Sequence, residues 1–277
     1  MSDLQGKRIA LACWRRATEL AQGIEKLGGI PLRRPTMRTL SAESDPELQH
    51  TVAQLVGEGA DWFLFTTGTG VRALVDIADR IGCRAEFVQL LHHARVAARG
   101  YKTAHALRQL GISNIVRDRD GTVASLLAAL DEYDLNGTHI AVQAPGEPMP
   151  EVILWAHHRQ ARVTEILPYR HVPTAPEELE TLLEEILRGQ LDAVLFTSPP
   201  QVRFLWDFAQ SRSREDALQK AFQELVLAVA VGHVTAEALI ARGVSRVITP
   251  PSERMGAALV ALAQFFSRHT PLEGPSP

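Results

Sequence analysis

Four short turns in this 277-residue chain set hydroxyl side chains and glycines between an apolar run and a helical pattern. They are Thr66-Thr67-Gly68-Thr69-Gly70, Gly100-Tyr101-Lys102-Thr103, Thr197 to Gln201 and Gly232 to Thr235. The first turn of a helix carries N–H groups with no intrahelical acceptor and the positive end of its dipole, so such turns hold carboxylates or phosphates. The candidate ligand-binding residues are therefore Thr66, Thr67, Gly68, Thr69, Gly100, Lys102, Thr103, Thr197, Ser198, Gly232 and Thr235. Thr66 to Gly70 is the best cradle, because glycine lets a ligand approach the backbone. On this reading valine at 68 would weaken binding. Ordinary helix capping by Thr67 or Thr69 explains the same letters, and the two readings are compatible. Thr197-Ser198 is the poorer cradle, since Pro199 and Pro200 have no N–H.

Other chemistries leave little trace. Gly68-x-Gly70 lacks the third glycine of a dinucleotide fingerprint, and no P-loop or Gly-x-Ser-x-Gly occurs. His92-His93 and His157-His158 are adjacent pairs that do not share a helix face, so a surface role is the plainer reading. Cys13 and Cys83 form no metal or disulfide spacing. Neither a metal nor a cofactor is expected. Tyr169, in Leu167-Pro-Tyr-Arg170, is one of three tyrosines. Its phenol is a donor at neutral pH. By position alone, packing of a linker aromatic on a domain edge is the preferred reading.

The elements that position these turns come from an internal repeat. Asp61 to Asp76 matches Asp192 to Asp207 at an offset of 131 residues, with Phe65/Phe196, Thr66/Thr197, Val71/Val202 and Arg72/Arg203 coinciding. Val96 to Leu107 matches Ala228 to Leu239 at an offset of 132. The first copy continues into His139 to Gln143, and the same piece of the second copy stands at the N-terminus as Arg8 to Ala12. Short apolar runs alternate with helical periods, the pattern of βαβ units and parallel sheets. The chain thus starts one domain, builds the other, and returns. Two similar Rossmann-like α/β domains are expected, residues 1–35 with 173–268 and residues 39–167, joined by a two-stranded linker near 30–39 and 166–174. The ligand is expected in the cleft between them, where a two-strand connection permits hinging. A flexible tail is expected over 269–277.

With 45% hydrophobic and 22% charged residues and a formal net charge of −3, nothing draws the protein toward nucleic acid or an anionic membrane. No run approaches the roughly 18 apolar residues of a membrane span. A cytoplasmic monomer acting on a small molecule is the expectation.

These motifs together resemble uroporphyrinogen-III synthase over nearly the whole chain. The carriers are Leu64 to Arg72, Ala98 to Thr103, Val142-Gln-Ala-Pro-Gly-Glu-Pro148, Leu167 to Arg170, Leu195 to Ser198 and Val231 to Ala238. The resemblance implies two α/β domains and a linear tetrapyrrole substrate, hydroxymethylbilane, cyclised with inversion of ring D and loss of water without a cofactor. It makes Tyr169 the candidate for assisting hydroxyl departure and the four turns candidates for carboxylate binding. It also implies transient contact with hydroxymethylbilane synthase. The sequence departs from the family pattern at Ala144-Pro145, His233, Pro199-Pro200 and Ala12-Cys13-Trp14-Arg15. Two rivals remain: a non-catalytic synthase-like sensor of tetrapyrroles or another anion, and a nucleotide-sugar or NAD enzyme, which the incomplete glycine pattern disfavours.

Overall fold

The computed structural model describes residues 4–269, so the tail expected from 269 onward lies outside them apart from the backbone of His269. In chain order, β1 (Arg8–Leu11), α1 (Ala17–Lys26) and β2 (Ile30–Arg33) lead into β3 (Met37–Ser41). There follow α2 (Pro46–Glu58), β4 (Trp62–Phe65), α3 (Gly68–Arg80), α4 (Arg84–His93), β5 (Arg95–Ala98), α5 (Gly100–Arg108) and β6 (Ile115–Arg117). Next come α6 (Val123–Leu130), β7 (His139–Gln143), α7 (Pro150–His157), β8 (Arg162–Ile166) and β9 (Tyr169–Pro173). The chain closes with α8 (Pro176–Leu187), β10 (Ala193–Phe196), α9 (Pro199–Ser211), α10 (Glu215–Glu224), β11 (Leu227–Ala230), α11 (His233–Ile240), β12 (Val247–Ile248) and α12 (Met255–His269).

The fold is α/β with two parallel five-stranded sheets. Contacts divide the chain into one unit of residues up to 38 and from 172 onward, and a second of residues 39–171. The first unit carries the order β12-β11-β10-β1-β2 and the second β6-β5-β4-β7-β8. Read along the second unit this is 3-2-1-4-5, the Rossmann order, and the first repeats it with β1 and β2 in the fourth and fifth places. Strands β3 and β9 pair as a separate two-stranded sheet.

Both faces of each sheet are covered, which is why the central strands are continuous apolar runs. In β4, Phe63 and Phe65 pack with Leu74, Ile77 and Phe87 on one face. Trp62 and Leu64 meet Leu126, Leu130, Val142 and Val152 on the other. Side chains alternate faces along a strand, so one four-residue run anchors two cores. Full burial of each such side chain stabilises by roughly 1.5–3 kcal/mol before entropy is counted. The other unit repeats this, with Val194 and Phe196 against Leu205, Trp206 and Phe222, and Ala193 and Leu195 against Leu20, Ile24 and Leu262.

One expectation needs correction. Residues 30–33, read as linker, form the edge strand β2 in parallel register with β1. Half-exposure and Pro31 obscured it, but an edge strand tolerates proline because one side of its ladder is unused.

Candidate functional site

Strand order reverses between β4 and β7 in the second unit, and ligands of open α/β sheets sit at the carboxyl ends flanking such a reversal. Those ends carry Thr66-Thr67 and Gln143. The Gln143 side chain is buried, and its amide oxygen accepts the N–H groups of Thr66 at 3.2 Å and Thr67 at 3.0 Å. The Thr66 hydroxyl donates to the Gln143 carbonyl at 2.7 Å. Both polar groups of Thr66 are thus used inside the protein.

Thr67 caps α3: its Oγ1 accepts the Gly70 N–H at 3.0 Å. The same oxygen lies 2.7 Å from the Tyr169 hydroxyl and 3.3 Å from Gln143 Oε1. Two proton arrangements fit. Either Tyr169 donates to Thr67 while Thr67 donates to Gln143, or Thr67 donates to Tyr169 and the phenolic proton points to another acceptor. Tyr169 is only 5% exposed, with its ring 5.4 Å from that of His171. It also packs on Gly146, which has φ +88° and where any Cβ would come within 2.9 Å of the phenol ring. Glycine is required there on both counts.

Arg99 closes the other side. Its Nε donates to the Thr66 carbonyl at 3.1 Å. Burial pulls this guanidinium below its ordinary pKa, while nearby Tyr169 and Asp118 push it back up. Gly100 has φ +73°, and its N–H donates to Asp118 at 2.6 Å. The other Asp118 oxygen accepts from Gly121. The end of α5 therefore holds the protein's own carboxylate. Thr103 is buried, and Lys102 is exposed with Nζ 5.7 Å from the Tyr101 ring.

The glycines of the first cradle have a different reason from the one expected. A Cβ on Gly68 would meet the Lys102 carbonyl oxygen at 2.8 Å, and one on Gly70 would meet the Gln143 amide carbon at 2.0 Å. The space beside each glycine is filled by protein, so a valine at 68 would strike α5 before it touched a ligand. Gly68 and Thr69 still present N–H groups with no acceptor among the described residues.

In the first unit Thr197 N–H donates to Gln201 Oε1 at 2.7 Å, and Gln201 Nε2 returns a bond to Thr197 Oγ1 at 2.9 Å. Ser198 precedes α9 without a side-chain cap bond. Beside Gly232, the His233 N–H donates to Glu253 at 3.0 Å, and the imidazole contacts the same carboxylate. Thr235 is buried. Cys13, just past β1, is buried too, and desolvation pushes its thiol up to about 11.

Thr66, Thr67, Gly68, Thr69, Gly100, Lys102, Thr103 and Tyr169 thus share the second unit, while Thr197, Ser198, Gly232 and Thr235 belong to the first. The side-chain roles of Gln143, Arg99, Asp118, Gln201 and Glu253 were not expected from the sequence. A cavity of about 460 Å³ opens at the opposite, amino end of the second unit's strands, lined by Trp62, His92, Arg95, Asn114 and Tyr133 among others. No expected ligand residue lines it, so size does not select it over the switch point. Among the described residues no group of three His, Cys, Asp or Glu is placed for a metal, and no helix is long and apolar enough to cross a membrane.

Two parallel five-stranded Rossmann-like units on one chain, with hydroxyl-rich turns at the strand ends, define a two-unit α/β protein. The family model for uroporphyrinogen-III synthase HemD matches residues 18–260, and the chain belongs to that family. The uncharacterized protein YjjA of Bacillus subtilis (strain 168) is 41% identical over 263 residues, covering 95% of this chain and 97% of its own length. A mutant uroporphyrinogen III synthase of the extremely thermophilic bacterium Thermus thermophilus is 34% identical with a TM-score of 0.82, covering 95% of this chain and all of its own. The uroporphyrinogen-III synthetase of Helicobacter pylori 26695 shares the fold at 12% identity, with a TM-score of 0.52 over 94% of this chain and 99% of its own.

Proposed function

We propose that this protein is an active uroporphyrinogen-III synthase, converting hydroxymethylbilane to uroporphyrinogen III with inversion of ring D and loss of water. The observation that carries the reading is the Tyr169 hydroxyl set 2.7 Å from Thr67 at the topological switch point. As the terminal C–O bond breaks, the phenol gives its proton to the departing hydroxyl, which leaves as water. The bond's electrons leave with oxygen, and the pyrrole nitrogen supplies the lone pair that forms an azafulvenium cation. Ring closure through a spiro intermediate ends with loss of a pyrrole-carbon proton, which returns to the phenolate. The carbon chemistry belongs to the substrate, so the protein's share is positioning and proton control.

The unused N–H groups of Gly68 and Thr69 at the start of α3 suit one substrate carboxylate, and Lys102 suits a second by charge. Thr66, Gly100 and Thr197 serve by holding these turns rather than by offering open donors, while Gly232 suits a donor role on the first unit. Thr103 and Thr235 support the helices behind them, and Ser198 remains a hydroxyl donor on the first unit. The reading includes a cytoplasmic monomer that receives its unstable substrate from hydroxymethylbilane synthase.

The test couples this protein to porphobilinogen deaminase, oxidises the products and separates the isomers. Predominant isomer III is expected. Isomer I alone, from a folded sample, would overturn the reading and favour a sensor that binds without turnover.

A further inference from the structure

The Tyr169 hydroxyl can act as an acid only if its conjugate base has somewhere to put a negative charge. The phenolate forms on a side chain that is only 5% exposed. Water offsets little of that charge, so a fixed positive group adds to the stabilisation given by the azafulvenium cation formed in the same step. The neighbours sort clearly. Thr67 and Gln143 offer hydrogen bonds and no charge. Asp118 is an anion whose oxygens accept from Gly100 and Gly121. Glu147 follows the glycine against which the ring packs. His171 is a ring neighbour whose Nδ1 lies 3.2 Å from the Thr39 hydroxyl. Arg99 alone among these is a cation at every working pH. It is fixed, not swinging: Nε is bound to the carbonyl of Thr66, the residue before the one that touches the phenol oxygen. Asp118 is near enough to act on the same guanidinium.

We propose that Arg99 is a positioning residue for the acid step, holding the cradle through the Thr66 carbonyl and offsetting the charge of the Tyr169 phenolate. The proposal rests on Tyr169 being the acid. It explains why a half-buried arginine with its Nε tied to a backbone carbonyl stands just past the end of β5. Asp118 is shared among the Gly100 and Gly121 N–H groups and the Arg117 guanidinium at 3.9 Å, which leaves the charge of Arg99 only partly offset. The corresponding position of the first unit, 132 residues on, is Val231, and that unit has no phenol to serve.

The experiment compares the full-length protein with Arg99→Gln and Arg99→Lys. Two readouts are taken on folded samples: the pH profile of kcat in the coupled assay, and ultraviolet titration of the tyrosines. With only Tyr101, Tyr133 and Tyr169 present, subtraction of Tyr169→Phe isolates the phenol of interest. In Arg99→Gln, kcat is expected to fall about tenfold at neutral pH, the cost of roughly one pH unit of lost charge stabilisation. The phenol titration and the basic limb of the profile should both move up by about that unit, because a nearby cation favours the ionised form. Arg99→Lys should keep both near their native positions. A folded Arg99→Gln protein whose phenol titrates as in the native protein would overturn the proposal and leave Arg99 a structural tie to Thr66. Failure of the underlying reading looks different: Tyr169→Phe would then keep native kcat whatever Arg99 does. Should Arg99→Gln not fold, Arg99→Lys decides alone, since a loss of kcat without a shift of the phenol titration counts against the charge role.

Discussion

The two units are built to one plan, yet they satisfy the same backbone turn from opposite sides. In the second unit, Gln143 at the end of β7 reaches into the space left open by Gly70 and accepts from Thr66 and Thr67. In the first, the residue 131 positions from Gly70 is Gln201, and the residue 131 positions from Gln143 is Ala12. There the glutamine stands on the helix and the strand end is small, and Gln201 accepts from Thr197. One amide oxygen is supplied in each turn, from strand or from helix, never from both. Buried N–H groups without acceptors are costly, so the acceptor persists while its source is exchanged. Three further differences lie at the second unit's turn. Tyr169 corresponds to Met37 and Arg99 to Val231, each at an offset of 132, and Thr67 corresponds to Ser198 at 131. The shared features hold the fold, and the phenol beside the capping hydroxyl is confined to the second unit.

Placing both glutamines in one turn breaks the exchange. Gly70→Gln should destabilise by about 3 kcal/mol through overpacking. Gln143→Ala alone should cost about 2 kcal/mol by leaving two N–H groups unpaired. The double variant reproduces the first unit's arrangement and should recover about 2 kcal/mol of their summed cost, read as the coupling in a double-mutant cycle of urea unfolding. Additive losses would mean that the two arrangements are not equivalent.

A smaller effect concerns Cys13, whose counterpart at an offset of 131 is the buried Ala144. The folded thiol titrates near 11, above its unfolded value, so the folded state keeps a proton that the unfolded chain gives up. Its contribution is complete below the unfolded pKa and is lost as pH rises toward 11, about 1.5 kcal/mol of it by pH 10. Unfolding titrations of native protein and Cys13→Ala should diverge in slope above about pH 9 and run parallel below it. Parallel curves throughout would show that the thiol meets water in the folded state.

Much of the fold was legible because β4, β7, β10 and β11 are buried on both faces, and that constraint writes itself as uninterrupted apolar runs spaced by helical periods. Strand β2 was not legible, since a half-exposed edge with a proline looks like a loop. The turns of the site could be read from hydroxyls and glycines, but the reason for the glycines could not. A missing side chain announces space without saying what fills it, and at Gly68 and Gly70 the occupants are Lys102 and Gln143. Seeing Gln143 as a partner of Thr66 requires the parallel register of β4 on β7, which joins residues 77 apart in sequence. The lone polar residue ending an otherwise apolar strand, with Ala12 at the matching place, was the available signal. Arg99 and Asp118 carried none, because exposed and buried charges are the same letters.

The central claim is that proton chemistry belongs to the second unit and runs through Tyr169. Its most direct test is Tyr169→Phe in the coupled isomer assay, with far- and near-ultraviolet circular dichroism to establish an intact fold. The variant is expected to form isomer III at least about 100-fold more slowly than the native protein, the usual share of a positioned acid. Native rates of isomer III from the folded variant would contradict the claim and move the search for the acid elsewhere in the molecule.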